Sequence, residues 1–121
     1  MKRGPTIVTD APTPSEIRLS ADKQTLQIGF ESGESFALSA ELLRVESPSA
    51  EVQGHGAGQK VTPKDKENVK IIGIEPVGNY AVRLAFDDGH NTGIFSWDIL
   101  FDYGRRQDSL MAAYRERLGA A

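Results

Sequence analysis

Two carboxylates and an imidazole stand close together in the chain, at Asp87, Asp88 and His90. A carboxylate beside an imidazole can bind a divalent metal ion or transfer a proton. The same segment also suits a tight turn, because Asp and the intervening Gly89 favour turn conformations. We prefer the turn, which accounts for both carboxylates and leaves His90 partly buried and hydrogen-bonded to a backbone carbonyl.

The second histidine, His55, lies in a glycine-rich segment, residues 54–60, that superficially resembles a phosphate-binding loop. Such a loop needs a strand before it and a helix after it, so that N–H groups point at the anion. Thr62 and Pro63 follow instead and oppose a helix. We therefore predict a loop in which His55 can contact a partner. Serines occur at positions 15, 20, 35, 47 and 49 with no base nearby in the sequence, so no nucleophile motif is visible.

Composition excludes several classes of protein. With 121 residues, the chain is most simply one domain that can bury a core. It has no Cys, which excludes disulfides, thiol nucleophiles and cysteine metal sites. The net charge of -3 offers no basic face for nucleic acid. No apolar run approaches the ~18 residues of a membrane span, and no secretory signal is present. We expect a cytoplasmic protein without nucleic-acid or membrane partners.

A repeat of fifty-six residues organises the elements that position these side chains. Each copy alternates apolar and polar residues into a turn that ends in glycine, alternates out again, and enters a short helix. The repeat predicts an α+β fold, mainly β, of two strand–hairpin–short helix units with a C-terminal helix. The matched residues are Leu26, Ile28, Phe30, Glu31, Gly33, Leu38 and Leu43 in the first copy, and Val82, Leu84, Phe86, Asp87, Gly89, Ile94 and Ile99 in the second.

The pattern also predicts the bounds of the elements. Residues 1–14 are expected to form an extended arm and residues 15–119 a single domain, with a polar loop over 47–68. Ser39 and Ser96 are expected to cap short helices, and Gly104 to end the second of them in the left-handed conformation. Predicted strands cover 16–20, 25–30, 34–38, 69–74, 80–86 and 90–95, and predicted helices cover 40–44, 97–103 and 108–118. The last helix is expected to dock on the sheet through Leu110, Met111, Tyr114 and Leu118.

A three-residue loop ending in a positive-φ glycine sets the register of each hairpin. It pairs Ile28 with Phe36 in the first hairpin and Val82 with Ile94 in the second, and it places His90 opposite Phe86. A slip of one residue would move every side chain to the opposite face. The residues expected to be buried are Leu26, Ile28, Phe30, Val82, Leu84, Phe86, Ile94 and Trp97.

Two segments carry a resemblance to a known family: residues 43–52, which read LRVESPSAEV, and residues 77–97, which end in DGHNTGIFSW. Over about residues 14–118 the chain resembles the gamma-butyrobetaine hydroxylase-like N-terminal domain family, most specifically in the string D-G-H-x-T-G-I-[FY]-[ST]-W. The resemblance implies a small β-rich domain that occurs alone, ahead of dioxygenase domains, or attached to P-loop ATPases of the iron–sulfur carrier type. It also implies, for many members, a structural zinc held by three Cys and the His of the string.

At the zinc positions the chain departs from this family. The three cysteine positions hold Ser47, Ser49 and Val52, and only His90 matches a ligand. Serine hydroxyls are poor zinc ligands beside thiolates, and Val52 has no donor atom. The resemblance therefore implies a degenerate zinc site without metal or cofactor, in which packing and hydrogen bonds among Ser47, Ser49 and His90 replace the metal. Residues 1–121 include no dioxygenase domain, so we expect no hydroxylase activity to carry over.

Three functional hypotheses follow, of which the third is an unrecognised small enzyme whose only candidate cluster is Asp88 and His90. The first is a non-catalytic binding or adaptor domain for a protein partner, accessory to iron–sulfur carrier or oxygenase proteins, and itself a monomer or weak homodimer. The second is a small metal-binding domain that uses Asp87, Asp88 and His90, with His55 as a further candidate ligand. For the first hypothesis, the candidate partner-binding residues are Arg44, His55, Asp88 and His90.

Overall fold

The computed structural model describes residues 12–53 and 62–120, and within them the chain forms two three-stranded antiparallel sheets and helices. The first sheet has the order β1-β2-β3 and the second the order β4-β5-β6. The predicted α+β fold of two repeated units is confirmed. The strands are β1 Pro14–Leu19, β2 Thr25–Phe30, β3 Ser35–Ser39, β4 Ile71–Val77, β5 Ala81–Phe86 and β6 Gly93–Ser96; the helices are α1 Ala40–Val45, α2 Ala50–Gln53 and α3 Trp97–Ala120.

Both hairpins close through three-residue turns that end in a glycine of positive φ, 99° at Gly33 and 95° at Gly89. Only glycine adopts this conformation without a steric cost. Across the second turn the Phe86 N–H donates to the His90 carbonyl at 2.9 Å. The first hairpin continues in the predicted register, with Leu26 opposite Leu38.

The second hairpin departs from the predicted register after its turn. Arg83, not Val82, lies opposite Ile94, and Val82 lies opposite Phe95. Residues 91 and 92 precede β6 without strand pairing and add one residue to that side of the hairpin. Because side chains alternate along a strand, one extra residue turns Phe95 inward and Ile94 outward. Phe95 is completely buried and Ile94 is 43% exposed, so the prediction that Ile94 is buried is wrong.

The structure confirms both predicted helix N-caps but not the predicted end of a helix at Gly104. Ser39 Oγ accepts from the Leu42 N–H at 3.0 Å, and Ser96 Oγ accepts from the Ile99 N–H at 3.2 Å. The two predicted C-terminal helices are joined in α3, where a kink at Arg106 separates them, so the first does not end at Gly104.

Close packing explains the glycine at position 104. A Cβ there would overlap the ring of Phe36, so the absence of a side chain lets α3 approach β3. The break in helical geometry comes two residues later, at Arg106 (φ -114°, ψ 15°). The prediction of a left-handed Gly104 is therefore wrong.

One hydrophobic core receives side chains from both sheets, from α1 and from α3. Trp97 is half-buried rather than buried, because its indole N–H reaches the Asn79 carbonyl near the surface at 2.9 Å. The other predicted core residues are confirmed. The buried core consists of Leu26, Ile28, Phe30, Leu38, Ala40, Leu42, Leu43, Val45, Val69, Ile71, Val82, Leu84, Phe86, Phe95, Leu100, Met111 and Tyr114.

Two sequence predictions concern residues at or beyond the ends of the described ranges. Thr13 and Pro14, which were predicted to belong to an extended arm, take part in the first sheet: β1 begins at Pro14, and the Thr13 carbonyl accepts from the Glu31 N–H at 2.8 Å. Residues 1–11, and residues 54–61 with His55, lie outside the described part of the chain. In the described part no helix combines the length and the apolarity that crossing a membrane requires.

Candidate functional site

The loop after α1 and the second hairpin meet inside the molecule. Helix α1 ends at Val45 with Glu46 as its C-cap, and Ser47, Ser49 and the short helix α2 follow. Four of the residues singled out by the sequence lie here and are buried. Their exposed fractions are 0% for Ser47, 9% for Ser49, 1% for Val52 and 4% for His90.

Hydrogen bonds connect Ser47, Ser49 and His90 with one another and with Thr92, through side chains and one backbone N–H. His90 Nε2 and Ser47 Oγ share a hydrogen bond of 2.9 Å, and the Ser49 N–H donates to the same hydroxyl at 3.2 Å. Ser49 Oγ and Thr92 Oγ1 are 2.7 Å apart. We call Ser47, Ser49, Thr92 and His90 the hydroxyl–imidazole cluster. It connects the first unit to the second hairpin across 43 residues of sequence.

The donor set at this place does not fit a zinc ion. Ser47 and Ser49 offer neutral hydroxyls where zinc prefers thiolate or imidazole, and Val52 offers no donor. The Nε2 atom of His90 is already engaged by Ser47. Among the described residues, no group of three or more His, Cys, Asp and Glu side chains is arranged to hold a metal ion.

The two carboxylates of the turn face in different directions. Asp87 Oδ1 accepts from the Lys70 N–H at 3.0 Å, and Asp88 Oδ1 accepts from the His90 N–H at 3.1 Å. Both carboxylates thus stabilise backbone, as the turn interpretation predicts. They do not converge on the His90 ring, which counts against the metal-binding hypothesis.

Two cations share the other oxygen of Asp88. Arg44 Nε lies 2.8 Å and Lys66 Nζ 2.6 Å from Asp88 Oδ2. The exposed fractions of these side chains are 13% for Arg44, 21% for Lys66 and 20% for Asp88. We call these three residues the Asp88 ion cluster.

Opposing effects act on the Asp88 carboxyl. Partial burial by itself would raise its pKa, but hydrogen bonds from Lys66, the His90 backbone and Arg44 outweigh burial and hold the pKa well below its usual range. Asp88 is therefore ionised and neutralises one of its two cations. Arg44 Nη1 is buried and has no hydrogen-bond partner within the described part of the chain.

The geometry at Ser47 does not suit nucleophilic catalysis. Ser47 and His90 are at the distance of a nucleophile and its base, but Ser47 is completely buried and no substrate can reach it. Asp88 is held in one ionisation state by two cations, which suits a structural or recognition role rather than proton transfer.

Helix α3 is tied to the end of α1 just behind this site. Glu46, with 6% of its side chain exposed, pairs with Arg117 at 3.0 Å. The Tyr103 hydroxyl donates to the Glu46 carbonyl at 2.6 Å. Burial, followed by the charge of Glu46, raises the pKa of Tyr103 to about 12. These contacts hold the loop that carries Ser47 and Ser49.

Sequence reasoning did not single out Lys66, Thr92 or Glu46. Thr92 stands inside the D-G-H-x-T string, and that string was a usable signal. Lys66 and Glu46 gave no signal, because their partners Asp88 and Arg117 lie 22 and 71 residues away in sequence. Gly93 was missed for a similar reason: a Cβ there would overlap Ser47 Oγ, which belongs to the other unit.

Comparisons with known proteins agree with this architecture. The family model described as gamma-butyrobetaine hydroxylase-like, N-terminal, matches residues 17–101. A search of the curated proteins found no match.

Three solved structures are similar over most of the chain. Two are NMR solution structures. One has 49% identity and a TM-score of 0.80, covering 97% of this chain and 87% of that one. The other has 46% identity and a TM-score of 0.77, covering 90% and 86%. The third is a crystal structure of a protein of unknown function from Acidithiobacillus ferrooxidans ATCC 23270, which belongs to the DUF971 family. It has 39% identity and a TM-score of 0.60, covering 73% of this chain and 88% of that one.

Proposed function

The chain belongs to the gamma-butyrobetaine hydroxylase-like N-terminal family, and from that premise we propose that it is a non-catalytic binding domain for a protein partner. A fold by itself does not imply a function, so the proposal depends on the site. The observation that supports it most directly is the Asp88 ion cluster, a group of three paired charges with no accessible nucleophile beside it.

The Asp88 ion cluster suits recognition of a protein surface. It contains two cations and one anion, so one positive charge is left to attract a carboxylate or carbonyl oxygen. Arginine is favoured at protein interfaces because its planar guanidinium can donate several hydrogen bonds in a fixed geometry. Arg44 already aligns its Nε on Asp88, which limits the side-chain entropy lost on binding.

We also propose that the chain has a degenerate zinc site that carries no metal, and the hydroxyl–imidazole cluster supports this. Hydrogen bonds among Ser47, Ser49, Thr92 and His90 join the two units beneath the Asp88 ion cluster. In this proposal they do the structural work that a metal performs in other members of the family. The fold would then not depend on metal supply.

The family resemblance extends the proposal to the kind of partner. It favours an iron–sulfur carrier or an oxygenase protein, to which the domain would be accessory. A cytoplasmic location stays a prediction of the sequence.

Affinity capture with three matched baits tests the proposal. The baits are the native chain, Arg44→Met in the Asp88 ion cluster, and Arg18→Met, which removes a side chain that is 71% exposed on β1 of the other sheet. We expect the native chain and Arg18→Met to retain the same partner and Arg44→Met to lose it, at a temperature where circular dichroism shows all three baits to be folded. A partner retained equally by Arg44→Met, or no partner at all, would contradict the binding site.

Elemental analysis of the native protein tests the metal-free part separately. Less than stoichiometric zinc, and a melting temperature unaffected by a chelator, are expected. Stoichiometric zinc whose removal unfolds the chain would overturn the degenerate site and favour the metal-binding hypothesis.

A further inference from the structure

The two sheets repeat the same edge bulge but fill it with different residues. In β1 the pairing with β2 shifts between Pro14 and Glu16, so Ser15 is the extra residue. In β4 the pairing with β5 shifts in the same way between Ile71 and Gly73, so Ile72 is the extra residue. Ile72 is 59% exposed. The first unit shows that this bulge does not require an isoleucine.

The outer faces of the two sheets differ at a second position, where the second sheet again carries the larger apolar side chain. Gln27 pairs with Ala37 in the first sheet, and the equivalent pair in the second sheet is Arg83 with Ile94. Ile94 is 43% exposed where the first sheet has a small alanine. Ile72 and Ile94 are exposed large hydrophobics of the described residues, and both belong to the second sheet.

Small residues lie between the two isoleucines. Gly73 and Ala85 are paired on neighbouring strands, and a Cβ on Gly73 would lie 3.4 Å from the Ala85 Cβ. The surface between Ile72 and Ile94 is therefore low, and an aliphatic side chain from another molecule can fit there.

The charges on this face complement each other. Glu75 pairs with Arg83 across β4 and β5, and both side chains are about half exposed, at 60% and 48%. A face with one anion and one cation matches its own copy when rotated by a two-fold axis, because Arg83 then lies over Glu75 of the second copy. The isoleucines of each copy meet the low surface of the other.

We propose that this second-sheet face, formed by Ile72, Glu75, Arg83 and Ile94, packs against the same face of a second copy of the chain to form a two-fold homodimer. The surface is separate from the Asp88 ion cluster, and the inference does not depend on the proposed function. It gives the weak homodimer expected from the sequence a specific interface.

The area of this face is small compared with that of a stable protein–protein interface. Three short strands about 4.8 Å apart present a patch on the order of 300 Å². Stable complexes bury about 800 Å² on each partner. We therefore expect a weak dimer that exchanges rapidly with the monomer and is populated only at high protein concentration.

Sedimentation equilibrium and concentration-dependent NMR spectra of the full chain test this interface, over about 20 µM to 2 mM so that both species are populated. The native chain should dimerise reversibly, with shift changes confined to β4–β6. The matched variant Ile72→Ser with Ile94→Ala introduces the residues of the equivalent positions in the first sheet. It should fold and weaken association at least tenfold.

Charge reversal separates this interface from unspecific association. Arg83→Glu alone should weaken the dimer, and Arg83→Glu with Glu75→Arg should restore it. Arg44→Met, at the Asp88 ion cluster, should leave it unchanged. A native chain that stays monomeric at the highest concentration, or a dimer that persists in the Ile72→Ser, Ile94→Ala variant, would overturn the inference.

Discussion

His90 Nε2 and Ser47 Oγ lie 2.9 Å apart in the interior, although 43 residues separate them in sequence. Ser47 follows the helix of the first unit, and His90 follows the turn of the second hairpin. The contact therefore links the two repeated units through a polar group rather than through core packing. Both residues are buried, so the contact belongs to the folded scaffold and not to a reactive surface.

Replacing Ser47 with alanine should lower the free energy of unfolding by about 1–3 kcal/mol, because His90 Nε2 and the Ser49 N–H both lose a buried partner. Urea denaturation measures the loss. Ser35→Ala, at an exposed position of β3, is the control and should change stability by less than about 0.5 kcal/mol. Equal effects of the two substitutions would contradict a structural role for the hydroxyl–imidazole cluster.

Installing thiolates should create the missing metal centre. The triple variant Ser47→Cys, Ser49→Cys and Val52→Cys places three sulfur ligands in the buried cluster that contains His90, and three thiolates with one imidazole form a stable tetrahedral zinc site. We expect tight, stoichiometric zinc uptake by the variant and a chelator-sensitive melting temperature. Failure of a folded triple variant to take up zinc would mean that the four positions do not converge as a zinc site requires.

A methyl group at position 93 should be poorly tolerated. Gly93 is buried, and a Cβ there would overlap Ser47 Oγ and approach the Phe95 ring. Gly93→Ala should therefore cost about 1–3 kcal/mol of stability through overpacking. Gly119→Ala is the matched control, since nothing lies within 4 Å of that position and alanine favours the helix. Thermal denaturation of the two variants should separate them clearly, and equal melting temperatures would show that the loop can move away.

Asp88 should stabilise the fold above its ordinary pKa and lose that effect in acid. Its pKa in the folded protein is lowered from 3.8, chiefly by Lys66, the His90 backbone and Arg44 against the opposing effect of burial. The contribution is fully present at neutral pH, begins to decrease as the pH falls below about 4, and is lost as the pH falls through the lower pKa of the folded state. Asp88→Asn keeps an acceptor for the His90 N–H but loses the charge.

The free energy of unfolding of Asp88→Asn, measured against pH, checks this linkage. The native chain should exceed the variant at pH 7, and the difference should shrink steadily as the pH falls below about 4. A difference that is constant over this range would show that Asp88 acts without its charge.

Tyr103 should titrate late in alkali. Burial, then the charge of Glu46, raises its pKa from 10.0 to about 12. Its contribution to stability is complete below pH 10 and is lost as the pH rises through the folded pKa. Absorbance at 295 nm should show a tyrosinate signal near pH 12 that is missing in Tyr103→Phe. Because burial also raises the pKa of Tyr114, the difference between native and variant is the quantity to compare.

Sequence patterns were sufficient wherever structure depends on neighbours in the chain. The acidic turns with Gly33 and Gly89, the caps at Ser39 and Ser96, and the alternation of β2 and β5 each depend on contacts within a few residues, and all were predicted. The family followed from the string around His90, since that order of residue types is specific.

Tertiary contacts decided the rest. The extra residue before β6 decides that Phe95 rather than Ile94 enters the core. In the same segment, Thr92 forms a hydrogen bond with Ser49 of the first unit. Gly104 lies within α3 rather than at a helix end, and its lack of a side chain leaves room for the Phe36 ring of the first sheet.

Local sequence determined the two units, their turns and the start of each helix, because short-range hydrogen bonds and side-chain alternation depend on a few neighbouring residues. The folded molecule alone decided which residues meet between the units: His90 with Ser47, Asp88 with Lys66, and Glu46 with Arg117. These pairs are separated by 43, 22 and 71 residues. Local sequence patterns do not reveal such pairs, because the packing of the whole core brings the partners together.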